Sequence, residues 1–122
     1  MKVISIKAHG ALDYITVFGF ALLPSIFGLT GTPAYLSYFL AVVHLLMTIL
    51  TNFPLGLLRA IPVGIHKAVE MVIGPALIAS PWILGFATNA AARNVFICAG
   101  LIIIAVGLLS DYGSNLPLVE KR

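Results

Sequence analysis

Ile6-Lys7-Ala8-His9-Gly10-Ala11-Leu12-Asp13, near the start of the chain, is answered by Val63-Gly64-Ile65-His66-Lys67-Ala68-Val69-Glu70. A constant offset of 57 residues aligns His9 with His66, Ala11 with Ala68 and Asp13 with Glu70. The same offset continues to Pro24 and Pro81, Ile26 and Ile83, and Gly28 and Gly85, so residues 6–30 recur at 63–87. An internal repeat constrains the architecture before any single element is assigned, because each copy must build the same supersecondary unit. Each copy here also opens with a His and an acid four residues apart, at the head of an apolar segment.

Those apolar segments decide the class. The 122-residue chain is 61% hydrophobic and 9% charged, with a mean hydropathy of +1.10, whereas a soluble domain carries roughly 25% charged residues. It lacks the polar side chains to cover itself in water. Four apolar runs, at about 8–29, 35–53, 66–86 and 92–109, each approach the roughly 20 residues that a helix needs to cross the hydrocarbon layer. The runs are too long for strands and lack period-2 alternation, and a helix satisfies its own backbone in lipid. The expectation is an all-α membrane protein with four transmembrane helices, arranged as two tandem parallel two-helix repeats. The repeats cover about 6–55 and 63–112 of one membrane domain spanning 1–122, followed by a short polar tail at 113–122.

The breaks between segments are chemically marked. Gly28 to Pro33 reads as a tight turn, Asn52 to Gly56 ends the second segment, Pro62 precedes the third, and Thr88-Asn89 separates the last two. The connector from Leu55 to Pro62 is apolar apart from Arg59, which places it in the membrane interface.

With four spans, the N-terminus, the middle connector and the C-terminus share one side of the membrane. That side carries Lys2, Lys7, Arg59, Lys67, Lys121 and Arg122, and the opposite side carries only Arg93. The excess predicts both termini in the cytoplasm of a multi-pass protein of the bacterial inner membrane. Two spans per repeat make both hairpins enter the membrane in the same sense, related by a pseudo-two-fold axis along the membrane normal. The first segment reads as retained rather than as a cleaved signal, because Asp13 interrupts its apolar run and no Ala-x-Ala pattern follows. The basic residues sit at segment ends as border anchors, so the partners expected are the lipid bilayer and a membrane protein or a second copy, not nucleic acid. The single Cys98 excludes an intrachain disulfide and any cysteine-based cluster; inside an apolar run it reads as a small hydrophobe.

Positions i and i+4 lie on one helix face. His9 therefore stacks with Asp13 and Thr16 continues their stripe, while His66 stacks with Glu70. The second helix adds His44, Thr48, Thr51 and Asn52 on one face, descending toward the same border. The spacing predicts a polar cluster of His9, Asp13, Thr16, His44, Thr48, His66 and Glu70 in the inner half of the bundle. The fourth helix breaks the symmetry: Leu101 and Ala105 stand opposite His44 and Thr48, and polarity returns only at Ser110-Asp111-Tyr112, with a shift of two residues. The cluster is expected to lean toward the first hairpin.

Two chemistries compete for it. Polar side chains in lipid hold helices together by hydrogen bonding, for about 0.6–2 kcal/mol each, yet an ionisable residue inside a membrane is also a functional candidate. A functional cluster could place two histidines on haem iron, hold zinc or iron through His and carboxylate, or relay protons. The Glu-x-x-His spacing of di-iron bundles is absent, and the sequence requires no particular cofactor or metal. Ser25, Ser80 and Ser110 have no His–acid pair of their own and no phosphate-binding Gly loop is present, so no enzyme is expected. The outer half has almost nothing polar beyond Ser25, Ser37, Tyr38 and Ser80, which argues against transport, since a pore needs a polar route across the whole membrane. Tyr35, Tyr38, Trp82, Phe86 and Tyr112 fall at segment ends and read as interfacial aromatic belts.

Ser80-Pro81-Trp82-Ile83-Leu84-Gly85-Phe86 resembles the SPW repeat of small bacterial membrane proteins built from tandem two-helix units. Through the internal repeat the resemblance reaches Leu23-Pro24-Ser25, where Leu replaces the leading Ser and Ser replaces Trp. It implies a four-helix inner-membrane protein and carries no activity with it. Physically, Ser80, Pro81 and Trp82 look like structural punctuation: Pro81 can kink or end a helix, leaving Trp82 at headgroup level. The most economical function is a structural or accessory, partner-docking membrane protein whose polar cluster holds the hairpins together. The alternative is a protein that binds haem or a metal, or relays protons, through the same cluster.

Overall fold

The structure, a computed structural model, describes residues 2–112; the polar tail at 113–122, with Lys121 and Arg122, lies outside the described residues. Four helices follow one another: α1 (Ile6–Phe27), α2 (Gly31–Leu50), α3 (Val63–Ile83) and α4 (Ala90–Leu109). All four are long and apolar enough to cross a bilayer. The described residues contain no strand, only two isolated backbone bridges. Consecutive helices pack as pairs, α1 on α2 and α3 on α4, with a lesser contact between α1 and α4.

Local chemistry sets the helix ends. Ser5 caps α1 by accepting the Ala8 N–H at 3.1 Å, and Asn89 caps α4 by accepting the Ala92 N–H at 3.1 Å. Gly31 to Pro33, expected in the turn, form the first turn of α2, where proline's missing N–H is of no consequence. At the far end, α1 and α3 stop in the same way. Gly28 and Gly85 adopt left-handed φ values of 63° and 78°, which glycine tolerates without a Cβ clash. The next residue then turns back: Leu29 N–H donates to Pro24 O at 2.9 Å, and Phe86 N–H donates to Pro81 O at 2.8 Å. Pro81 is thus buried in the last turn of α3, Ser80 Oγ donates to Leu77 O at 2.7 Å, and Trp82 is exposed.

The apolar core lies toward this far end, around Phe20, Leu40, Leu77, Phe96 and Ile103. Phe86 belongs to it. The sequence placed Phe86 in an exposed belt, but its ring packs on Phe96 with centroids 5.4 Å apart, because the turn at Gly85 folds it back over the helix end. The two pairs are held differently. In the first, Ser37 Oγ donates to Phe20 O across 2.6 Å. In the second, α3 and α4 approach so closely that a Cβ on Gly100 would lie 2.5 Å from Gly74 O, the small-residue contact favoured between helices in lipid.

The connector folds back beneath α2. Leu57 and Leu58 N–H groups donate to Ile49 O, Arg59 takes a positive φ of 48° with its guanidinium on Gly56 O and Pro54 O, and Tyr14 Oη donates to Leu55 O at 2.9 Å.

Candidate functional site

Polar residues gather at the end of the bundle where α1 and α3 begin and α2 and α4 finish. His9 lies in the first turn of α1 and Asp13 one turn on; His66 and Glu70 occupy the same places in α3. All four are buried.

The contacts cross between the two copies. His9 Nε2 is 3.3 Å from Asp13 Oδ1 and 3.2 Å from Glu70 Oε2. His66 Nε2 is 3.1 Å from Glu70 Oε1 and 3.2 Å from Asp13 Oδ2. Each histidine therefore meets both acids and each acid meets both histidines. His44, from α2, brings its Nε2 to 3.4 Å from Asp13 Oδ1, so all three histidines of the chain converge here.

Two hydroxyls fix the imidazoles from behind. Ser110 Oγ donates to Val106 O at 2.6 Å, and Thr51 Oγ1 donates to Met47 O. With each hydroxyl proton committed to its own helix, the oxygen can only accept. His9 Nδ1–H thus donates to Ser110 Oγ at 2.7 Å, and His66 Nδ1–H donates to Thr51 Oγ1 at 2.7 Å. Both rings are held with Nε2 turned inward, where it meets a carboxylate when it carries a proton and offers a lone pair when it does not. His66 Nε2 is aligned on Glu70 Oε1 as a hydrogen bond, whereas His9 Nε2, His44 Nε2 and Asp13 Oδ2 are buried without an aligned partner.

Backbone bridges bring those hydroxyls into place. Ile4 pairs with Ser110, and Asp111 N–H donates to Ile4 O at 2.9 Å; Ile61 pairs with Thr51, and Asn52 N–H donates to Ile61 O at 2.8 Å. The segment ahead of each His-bearing helix is thus stitched to the end of α4 or α2. A small apolar cluster of Ile6, Phe53, Val63 and Tyr112 covers the site from outside.

Several sequence expectations need correction. Thr16 and Thr48 make no bond to the cluster's histidines or acids: their hydroxyls donate to Leu12 O and His44 O of their own helices, at 2.8 and 2.7 Å, and no imidazole donates to them in turn. A threonine in a helix satisfies itself this way, four residues back. Thr16 lines instead a mainly apolar groove of about 500 Å³ between α1 and α4. Tyr112, assigned to a belt, is half-buried and donates from Oη to Glu70 Oε2 at 3.1 Å. Burial and then the Glu70 carboxylate push its phenol above the ordinary tyrosine range. With Ser110 and Tyr112 contributed by the second hairpin, the site does not lean toward the first. Thr51 was visible on the His44 face and Ser110 as a polar residue at a helix end, but their spacing did not show that each accepts from a histidine.

Chemically, the arrangement can bind helices to one another, or hold a cation between inward-facing Nε2 atoms and carboxylates. The His9 and His66 ring centroids are 5.7 Å apart with both carboxylates against their Nε2 atoms, which leaves no slot for a porphyrin.

Fold and site together define a small multi-pass membrane protein with a buried polar cluster at one end of its bundle. The family model described as an SPW repeat domain matches residues 7–110, and the chain belongs to that family. No curated protein and no solved structure matches it.

Proposed function

We propose that this is a structural or accessory membrane protein of the bacterial inner membrane, in which the histidine–carboxylate cluster ties two hairpins into one docking unit. The observation that carries this is the crossing of contacts: His9 reaches Glu70 and His66 reaches Asp13, both across 3.2 Å, between helices that otherwise pack mainly within their own pairs. Apolar side chains give helices in lipid little reason to associate, so such polar contacts supply the cohesion. Both hairpins enter the membrane in the same sense, with both termini in the cytoplasm. Reporter fusions after Gly31 and Asn89 are then external and a fusion at the C-terminus internal.

The tie is tested in the full chain by placing a protease site at the exposed Leu57-Leu58 of the connector. After cleavage in detergent the two hairpins should stay together. Replacing Asp13 and Glu70 by Ala should release them, whereas exchanging His9 and His66 together for Gln, which also donates and accepts, should not. Hairpins that stay associated without either acid would refute the tie.

A further inference from the structure

We propose that His9, Asp13, His66 and Glu70 form a binding site for one divalent transition-metal ion of the zinc type. The inference rests on the cluster already described as the tie and gives it a ligand.

One donor atom from each of the four residues lies within 4.8 Å of the others. The four nitrogen-to-oxygen separations between neighbours run from 3.1 to 3.3 Å. Each of those contacts uses a different carboxylate oxygen. Zinc bonds of about 2.0–2.1 Å in a tetrahedron place adjacent ligands about 3.3–3.4 Å apart, so a set with one donor per residue, spread over up to 4.8 Å, must draw in by about an ångström to enclose an ion. The orientation is also that of ligands. Each Nδ1–H is spent on a hydroxyl oxygen, Ser110 or Thr51, and each Nε2 is turned inward, the outer-shell arrangement that fixes a metal-bound imidazole.

A second observation points to an ion and not to a closed hydrogen-bond network. His9 Nε2 and Asp13 Oδ2 are buried, aimed at the centre, and lack an aligned partner. A cavity of about 20 Å³ on the core side touches His44, His66 and Glu70 among mainly apolar side chains, and neither His9 nor Asp13 lines it. Two carboxylates balance the charge of a dication, which removes the penalty of an uncompensated charge in a lipid-surrounded interior. Mixed imidazole and carboxylate ligands select zinc, iron or manganese over calcium and magnesium, which prefer oxygen alone. Ser110 and Thr51 are positioning residues in this scheme, and Tyr112 holds Glu70 Oε2 in place.

The test uses the full chain, purified in detergent through a tag without histidines and stripped with a chelator. Titration with Zn²⁺ should show one saturable equivalent, and Co²⁺ should give the visible absorption of a four- or five-coordinate site. His9→Gln with His66→Gln should abolish both signals while the cleaved hairpins remain associated, which separates the metal from the tie. Ser110→Ala and Thr51→Val, each keeping all four ligands, should weaken Zn²⁺ binding by about 10–100-fold. Cys98→Ser should change nothing. No saturable binding in the intact chain, or binding undiminished in the double Gln variant, would overturn the proposal and leave the tie untouched.

Discussion

In the first half of the molecule Asp13 takes its third neighbour from within α2, where His44 Nε2 lies 3.4 Å away; in the second, Glu70 takes its third from beyond α4, where Tyr112 donates across 3.1 Å. Leu101 stands where a second His44 would fall, while Tyr112 occupies the place that Phe53 holds in the first half. Phe53 packs on His66 with centroids 5.8 Å apart, and Tyr112 packs on His9 at 4.9 Å. The histidines, acids and hydroxyls therefore keep matched places, and the third donor differs. The helix pairs differ as well, a Ser37 hydrogen bond joining one and a glycine contact the other. The difference teaches which interactions the shared geometry needs and which each half supplies by its own means.

The largest effect should come from the matched part. His9→Ala and His66→Ala each remove a neighbour from both buried acids, and each should cost about 3–5 kcal/mol in unfolding stability in detergent. Equal losses would sharpen the equivalence of the halves; a loss confined to one variant would break it. Next comes the packing difference. Gly100→Ala forces Cβ against Gly74 O and should cost about 1–3 kcal/mol, whereas Gly19→Ala meets nothing within 4 Å and should be neutral or stabilising in the same assay.

Tyr112→Phe would make the second half resemble the first, at about 1 kcal/mol for a hydrogen bond at a half-buried site. It carries a pH signature. The phenol's folded pKa is raised above its unfolded value near 10, so its contribution is complete below about pH 10 and is lost as pH rises beyond that. Alkaline unfolding curves of the wild type and Tyr112→Phe should therefore converge above that point. The smallest effect is that of His44→Leu, which copies Leu101 and should cost under about 1 kcal/mol, because its 3.4 Å contact with Asp13 is not an aligned hydrogen bond.

The four helices were legible because length and hydropathy alone satisfy the demands of a bilayer. His9–Asp13 and His66–Glu70 were legible because i,i+4 spacing and the repeat both place them. What joins them to Ser110 and Thr51 was not legible. Thr51 lay on the His44 face and Ser110 matched it only through a two-residue slip in register, but the backbone bridges that set each hydroxyl against a histidine leave no periodic trace. Thr16 and Thr48 misled for the opposite reason: they share the right face and make the same bond four residues back as Thr51 and Ser110, but no imidazole reaches their hydroxyls. Tyr112 was read by its position at a segment end, a guide to depth that says nothing of what the hydroxyl reaches.

The stitch between Ile4 and Ser110 also has a meaning in time. His9 and its acceptor Ser110 are separated by 101 residues, so the ribosome delivers α1 with its buried acid long before the chain can complete the shell around it. Until α4 arrives, the first helix carries into the bilayer polar groups whose exposure to hydrocarbon costs about 2.5–3.5 kcal/mol for an acid at mid-depth and less near the border. The residues at the end of α4 thus close what the first residues of α1 left open. Chains arrested before Ser110 should be degraded faster in a pulse-chase than the full chain, and equal lifetimes would show that closure is not sensed.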